Sequence, residues 1–452
     1  MRMFNNLLFV FITIILFCSC DTPVVYRIPD DNGPVIVSIA ADGSSTSSTT
    51  RLTFVFEEDM TGLEAGDIHL TAVFPFLKGS LTKIDDVTYE LGITPGSSGL
   101  IKAAVSPYTF SGWSVVSVQV YAVYSFVVQN NNITITDYNL TGGDVEIPES
   151  IGNFPITIIP ASLFREKELT GVTIPNSVTS IGASSFSNNW LTTIVIPDNV
   201  TSIGASAFSY NQLTSVTIPD NITSIGASTF GNNQLENVVI PEGVVSLSGF
   251  ENNKLSFVEI PNTVTIIGSS AFANNNFTIV DIPQGVTHIN TYAFAYNKIK
   301  EIVFPDNLVF LSGFNDNQLT VIEIPENVTG IGSYAFSNNR LTNADIPNSV
   351  TGIGIYAFSN NHLETVTIPD GIITIGEGVF QNNNLTSVDI PESVRTINSM
   401  AFTGNQLESI TIGENVTFNG IVFGNGFEVF YNNGREAGTY TLDTTTYVWT
   451  KN

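Results

Sequence analysis

Cysteine is almost missing from this chain: of 452 residues only two are Cys, at Cys18 and Cys20. Past residue 20 that excludes a disulfide framework, a thiolate nucleophile and a cysteine-ligated metal centre. Histidine is scarce too, with 3 in the chain, His69, His288 and His362. They stand far apart with no Ser/Asp or Cys partner at a telling spacing, and no nucleophile elbow, H-E-x-x-H, phosphate loop or Rossmann turn occurs. Each His is read as a surface residue. No catalytic residue, metal or cofactor is assigned, and the chain is read as non-enzymatic. Basic residues are outnumbered, 15 Lys+Arg against 41 Asp+Glu, for a formal net charge of −26 at pH 7. That balance speaks against nucleic acid as a partner and for basic or cationic surfaces.

What the chain does have is internal repetition. Between Ile174 and Gly413 the pattern I-P-(D/N/E)-x-V-T-x-I-G-x-x-A-F-x-x-N-x-L-T-x-V-x recurs eleven times. Its prolines fall at Pro175, Pro197, Pro219, Pro241, Pro261, Pro283, Pro305, Pro325, Pro347, Pro369 and Pro391, and Gly413 takes the next place; the spacing is 22 residues nine times and 20 residues twice. A fixed period of this length predicts a solenoid in which each repeat is one coil stacked on its neighbours.

The columns say how a coil is built. Asn stands two places before the Leu position throughout: Asn189, Asn211, Asn233, Asn253, Asn275, Asn297, Asn317, Asn339, Asn361, Asn383 and Asn405. A short amide at that depth reads as a structural ladder bonding the backbone of its own and the adjacent coil. Phe recurs from Phe164 to Phe402 and reads as an aromatic core spine. After the recurring Ile comes Gly182, Gly204, Gly226, Gly268, Gly332, Gly354 or Gly376, with Asn290 and Asn398 in two other copies. Gly exchanging with Asn predicts a left-handed corner. The segment L-T-x-V-x-I-P predicts a short strand with Val216 and Ile218 inward and Thr217 outward. Stacked at about 4.8 Å, its copies make a parallel sheet roughly 50 Å long. V-T-x-I-G predicts a shorter strand on another wall. The two 20-residue copies, with Val245 to Phe250 and Val309 to Phe314, trim the turn that follows it.

The string L-T-S-V-T-I-P-D-N-I-T-S-I-G-A-S-T-F, Leu213 to Phe230, and its relatives resemble the BspA-like leucine-rich repeats of bacterial surface proteins. The resemblance covers about 132–452. That family usually has a Cys in the turn after A-F and a slightly longer period; here an N-N or x-N pair stands in that turn. The resemblance implies a β-rich leucine-rich-repeat solenoid and an association with binding of host extracellular proteins and of other bacteria.

Ahead of the repeats, Met1-Arg2 and the apolar run Leu7 to Phe17 read as a secretory signal, too short for a bilayer span of ~20 residues. Leu16-Phe17-Cys18-Ser19-Cys20 resembles a relaxed lipobox, which makes Cys20 the lipidated first residue of the mature chain; an uncleaved anchor or a plain signal peptide are the alternatives. Residues 1–20 are thus the leader and 21–34 a polar tether. Over 35–121, alternating runs at Val35–Ile39, Leu52–Glu57, Asp67–Val73, Val87–Ile93, Ile101–Val105 and Ser114–Val120 predict a small β-sandwich of immunoglobulin type. It is similar to Ig-like spacers of bacterial surface proteins. Glu57, Glu58 and Asp59 either ligate calcium or form a solvated strand end. Residues 122–170 read as an N-terminal cap with a first atypical repeat, 171–413 as the eleven repeats and 414–452 as a C-terminal cap carrying a hairpin.

The outward position of V-x-I collects acid toward the C-terminal half: Glu259, Asp281, Glu323, Asp345 and Asp389. This column reads as a protein-binding face, or as a strand face kept soluble by charge. Two functions follow. The first is a lipid-anchored protein on the outer-membrane surface that adheres to host matrix or neighbouring-cell proteins. The second is a periplasmic or envelope scaffold that binds glycan, for which the outward column offers no ring, though Phe257 lies two places before it.

Overall fold

In the computed structural model of the protein, the described residues are 132–151 and 154–452, preceded by strands within 36–129. The leader with Cys20, the tether, and Glu57, Glu58 and Asp59 lie outside them. The chain divides into two compact units, 1–125 and 126–452. The first holds β1 (Ile36–Ala41), β2 (Arg51–Phe56), β3 (Ile68–Thr71), β4 (Phe76–Lys83), β5 (Thr88–Pro95), β6 (Gly99–Val105) and β7 (Val115–Val120). One antiparallel sheet has the order β1-β2-β5-β4 and another β3-β6-β7. Strand β4 has no counterpart among the alternating runs of the sequence. Gly79-Ser80 interrupts its alternation, and its register with β5 shifts there, between Lys78 and Leu81.

In the second unit each repeat is one coil of a β-rich parallel solenoid. Each Pro opens a tight turn whose carbonyl accepts the N–H three residues on, as Pro197 does from Val200 at 3.0 Å. The V-T-x-I segment then forms a two-residue strand stacked in parallel on its neighbours. Ile158–Ile159, Ser180–Ile181 and Ser202–Ile203 pair in register, and seven such strands from Ser224–Ile225 to Gly352–Ile353 pair without a break. The outward Thr hydroxyls donate to the carbonyl of the preceding coil, as Thr287 Oγ1 does to Thr265 O at 3.1 Å.

The L-T-x-V-x-I wall differs from the long sheet expected there. Its ladder comes in pieces: single bridges join Val195, Thr217, Val239 and Glu259, and separate pairs join Ile279–Asp281 to Glu301–Val303, Asn343–Asp345 to Thr365–Thr367, and Ser387–Asp389 to Ser409–Ile412. The cause is in the repeat itself. The Pro after each Ile has no N–H to donate, so the ladder stops at once there, while at the Leu end each coil stays tied to the one before, as Gln212 N–H donates to Leu191 O at 2.9 Å.

The glycine column also differs from its expected role. Gly182, Gly204, Gly226, Gly268, Gly332, Gly354 and Gly376 do not have positive φ. Left-handed residues stand two places later, among them Ser184, Ser206, Ser228, Tyr292, Tyr334 and Tyr356, and near the Asn ladder, among them Asn188, Tyr210, Asn232, Asn274 and Asn338. At Gly182, Gly204 and Gly354 glycine is required because coils approach closely: a Cβ on Gly182 would lie 2.5 Å from the Ala161 backbone nitrogen. The strained residues are held by bonds to the next coil, with the N–H of Ser184, Phe186 and Asn188 donating to Ala205 O, Ala207 O and Ser209 O at 2.8 to 3.0 Å.

Inside, the Phe rings stack face to face from Phe164 to Phe402, beginning at 5.1 Å between the Phe164 and Phe186 centroids. Phe423, which sits 21 residues after Phe402 in the cap, extends the stack at 5.3 Å. Beside the spine runs the amide ladder. Asn275 donates from Nδ2 to Phe250 O at 2.9 Å in the preceding coil and to its own Phe272 O at 3.1 Å, while its Oδ1 accepts the Leu255 N–H at 2.9 Å. Asn189, Asn211, Asn233, Asn253, Asn297, Asn317, Asn339, Asn361, Asn383 and Asn405 repeat this arrangement. Every amide of this ladder therefore joins two coils, and bonds backbone groups that an apolar side chain would leave unmet.

Both ends of the stack are covered. At the N-terminal end the Tyr138 ring lies 5.0 Å from Phe164, and Gly143–Glu146 pairs with Leu169–Thr173. At the other end α1 (Phe427–Tyr431) packs its aromatics on Phe423 and Phe418, and a hairpin of Gly438–Asp443 with Val448–Lys451 adds to Ser409–Ile412 in antiparallel sense. The antiparallel addition ends the parallel ladder and protects its edge.

Candidate functional site

On the V-x-I wall the side chains alternate strictly. Val258, Val280, Ile302, Ile322, Ala344 and Val388 are buried, while Glu259, Asp281, Glu323, Asp345 and Asp389 are exposed. The strand period of two thus sends every carboxylate of the column to solvent on one face. Glu259 and Asp281 stand on adjacent coils, as do Glu323 and Asp345; Val303 separates the two pairs, and Thr367 separates Asp345 from Asp389. Thr367 Oγ1 donates to Asp345 Oδ1 at 3.3 Å. Among the described residues the other four carboxylates have no ion pair or side-chain hydrogen bond.

The face carries more than acid. Val239, Phe257, Ile279, Val303 and Val321 are exposed on the same wall over five consecutive coils, Val303 by 81% and Phe257 by 65%. Sequence reasoning concentrated on the x of V-x-I and took from the position two places earlier only Phe257; Ile279, Glu301 and Val321 stand there too. The available signal was large apolar residues at an outward place that is Thr193, Ser215 or Ser387 in other coils. The wall also opens. Glu301–Val303 pairs with Ile279–Asp281 behind it but not with 321–323 ahead of it, and a groove of about 580 Å³ lies between those coils.

Elsewhere, His288 lies on the opposite wall against the Phe310 ring at 6.5 Å, with Thr287 Oγ1 2.9 Å from its Nδ1. His362 is exposed. No group of His, Cys, Asp and Glu suited to a metal ion, and no helix long and apolar enough to cross a membrane, occurs among the described residues. The arrangement suits contact with another molecule over an extended surface.

The comparisons with known proteins agree with the coil geometry. No curated protein sequence matches the chain. Among solved structures, a leucine-rich repeat protein from Bacteroides ovatus is 22% identical with a TM-score of 0.50, covering 66% of this chain and 88% of that one. A leucine rich cell surface protein from Faecalibacterium prausnitzii is 27% identical with a TM-score of 0.46, covering 70% and 96%. YopM from Yersinia enterocolitica is 17% identical with a TM-score of 0.46 over 62% of this chain, which spans 58% of YopM. The family model described as BspA type leucine rich repeat region matches residues 157–274, 244–314 and 309–427, together more than half of the 452 residues. With its proline-marked coils, amide ladder and phenylalanine spine, the chain belongs to the BspA type leucine rich repeat family.

Proposed function

We propose that this chain is a non-enzymatic, lipid-anchored protein of the cell surface that presents the V-x-I wall of its solenoid to a protein ligand, in adhesion to host or neighbouring-cell proteins. The observation that carries the reading is that wall: unpaired carboxylates beside exposed Val, Ile and Phe across consecutive coils. Soluble monomers seldom leave large apolar side chains grouped on one face without a use for them. Leucine-rich-repeat solenoids serve as protein-interaction scaffolds, and an extended repeat face supplies the area.

The lipobox at Leu16–Cys20 supports the anchor, since acyl chains on Cys20 hold a protein stably on a membrane. The strand orders β1-β2-β5-β4 and β3-β6-β7 are those of a seven-strand immunoglobulin sandwich, which supports an Ig-like spacer between anchor and solenoid. A periplasmic or envelope scaffold that binds glycan is the second reading; the exposed Phe257 ring favours it, because sugars stack on aromatic faces.

The test is charge reversal. With Glu259, Asp281, Glu323, Asp345 and Asp389 all changed to Lys, cells displaying the protein should lose capture of those immobilised matrix proteins that the unaltered chain holds. Equal capture by both forms would remove the assignment of this face.

A further inference from the structure

The groove on the V-x-I wall has a structural origin that no other coil shares. Where every other coil from Ile174 to Ile412 places Ile before the Pro or its Gly413 equivalent, this one has Phe304. Its ring lies edge-on to Phe314 at 5.3 Å and to Phe336 at 6.3 Å, and the Phe314–Phe336 separation of 6.2 Å is the widest in the spine. The coil that follows Phe304 is also one of the two 20-residue copies, Pro305 to Ile324. The larger ring and the shortened coil thus coincide with the unpaired strands at 301–303 and 321–323 and with the cleft of about 580 Å³ between them.

Its lining has a definite chemistry. The apolar walls are Val303, Phe304, Val321 and Pro325, and the acids are Glu301, Asp306, Glu323 and Glu326. Lys300 is the single cation in the lining. Among the described residues none of these four carboxylates makes an ion pair or a side-chain hydrogen bond, so each is open to a partner. Exposed Ile279 and Phe257 continue the apolar strip toward the preceding coils, with Asp281 and Glu259 beside them.

Resting on the protein-binding reading above, we infer that this groove takes an extended peptide segment of a partner protein in which Lys or Arg alternates with aliphatic or aromatic side chains. Period two is the period of the wall itself, so cations meet the carboxylates while the intervening apolar side chains enter the cleft. An anionic lipid surface or a nucleic acid is repelled by the same acids. The volume lies within the range of sites that enclose several side chains.

The experiment uses the secreted full chain and labelled synthetic peptides: one alternating Lys with Val and Phe, one with Glu in place of Lys, and one with Ser in place of Val and Phe. Only the first should bind. Two variants read the two halves of the site. E301Q/E323Q, at exposed positions that leave folding alone, should weaken binding about tenfold or more. F304I restores the residue of the other coils, closes the cleft and should abolish binding with every carboxylate in place. Equal binding of the three peptides, or unchanged affinity in both variants, overturns the proposal. If both variants still hold matrix protein while the five-acid reversal does not, the groove assignment falls and the wider reading of the wall stands. If the peptide binds through the groove but the reversed wall keeps its matrix ligand, the reverse is true.

Discussion

At the scale of single residues, the glycine column plays a different part from the one that composition suggests, while the Asn column plays the part expected of it. Gly182 and Gly226 occupy the same place, yet a Cβ on Gly182 meets the Ala161 nitrogen at 2.5 Å while on Gly226 the nearest atom is 3.7 Å away. Gly182→Ala should therefore destabilise by about 1–3 kcal/mol through overpacking. Gly226→Ala should be neutral or stabilising by up to about 1 kcal/mol, because it restricts the unfolded chain without strain. Urea unfolding of the two variants measures the contrast, and equal effects would mean that close approach does not set the column. Asn275→Ala leaves the buried Leu255 N–H without its acceptor, at a cost of about 1–3 kcal/mol. Phe250 O keeps a donor in Asn253, so the loss should not spread along the ladder.

The Asn and Phe columns were legible in the sequence because each recurs at an unchanged depth in coil after coil. Phe423 was not, since it stands 21 residues after Phe402, outside the repeat. Left-handed backbone was invisible for another reason. It is carried mostly by Ser, Tyr and Asn, with Gly only in single coils such as those of Gly378 and Gly404, and the strain is offset by bonds to the neighbouring coil rather than by a residue type that announces it.

At the scale of elements, the V-T-x-I wall carries the longer runs of paired strands, up to seven together, and the V-x-I wall is the more broken one, the opposite of the weight that strand length assigned. Proline, which follows the V-x-I strand directly, explains the difference. The alternation of V-x-I did give the facing of each acid, but the splitting of the wall depends on contacts between coils that a single repeat does not display.

The C-terminal hairpin gives a pH prediction. Its bond with Lys451 holds Glu436 below the usual carboxylate range, and the backbone N–H groups of Thr446 and Thr445 do the same for Asp443. Both acids release protons more readily folded than unfolded. Their contribution is present above the ordinary carboxylate pKa of about 4 and is lost as pH falls through the lower folded values. Lys451 is raised by the same Glu436 bond, so its contribution is lost as pH rises through its folded pKa. Amide exchange across 438–451 should accelerate on acidification relative to the solenoid core, and Glu436→Gln with Asp443→Asn should flatten that response. An unchanged acid response in the double variant would contradict the assignment.

At the scale of the molecule, capped ends, a bonded interior and one face of acid and apolar residues describe a scaffold built to present a surface. With a net charge of −26, binding through that face should weaken steeply with salt, since the Debye length shrinks from about 10 Å at 0.1 M to about 3 Å at 1 M. Affinity for a matrix ligand that is flat across that range would place the contact elsewhere. The most direct test of the account asks where the solenoid stands on living cells. Intact cells are treated with protease and probed for residues after Val35, beside a periplasmic protein that must stay whole. The account predicts that the repeats are lost while the control survives; full protection of the repeats would contradict presentation at the cell surface.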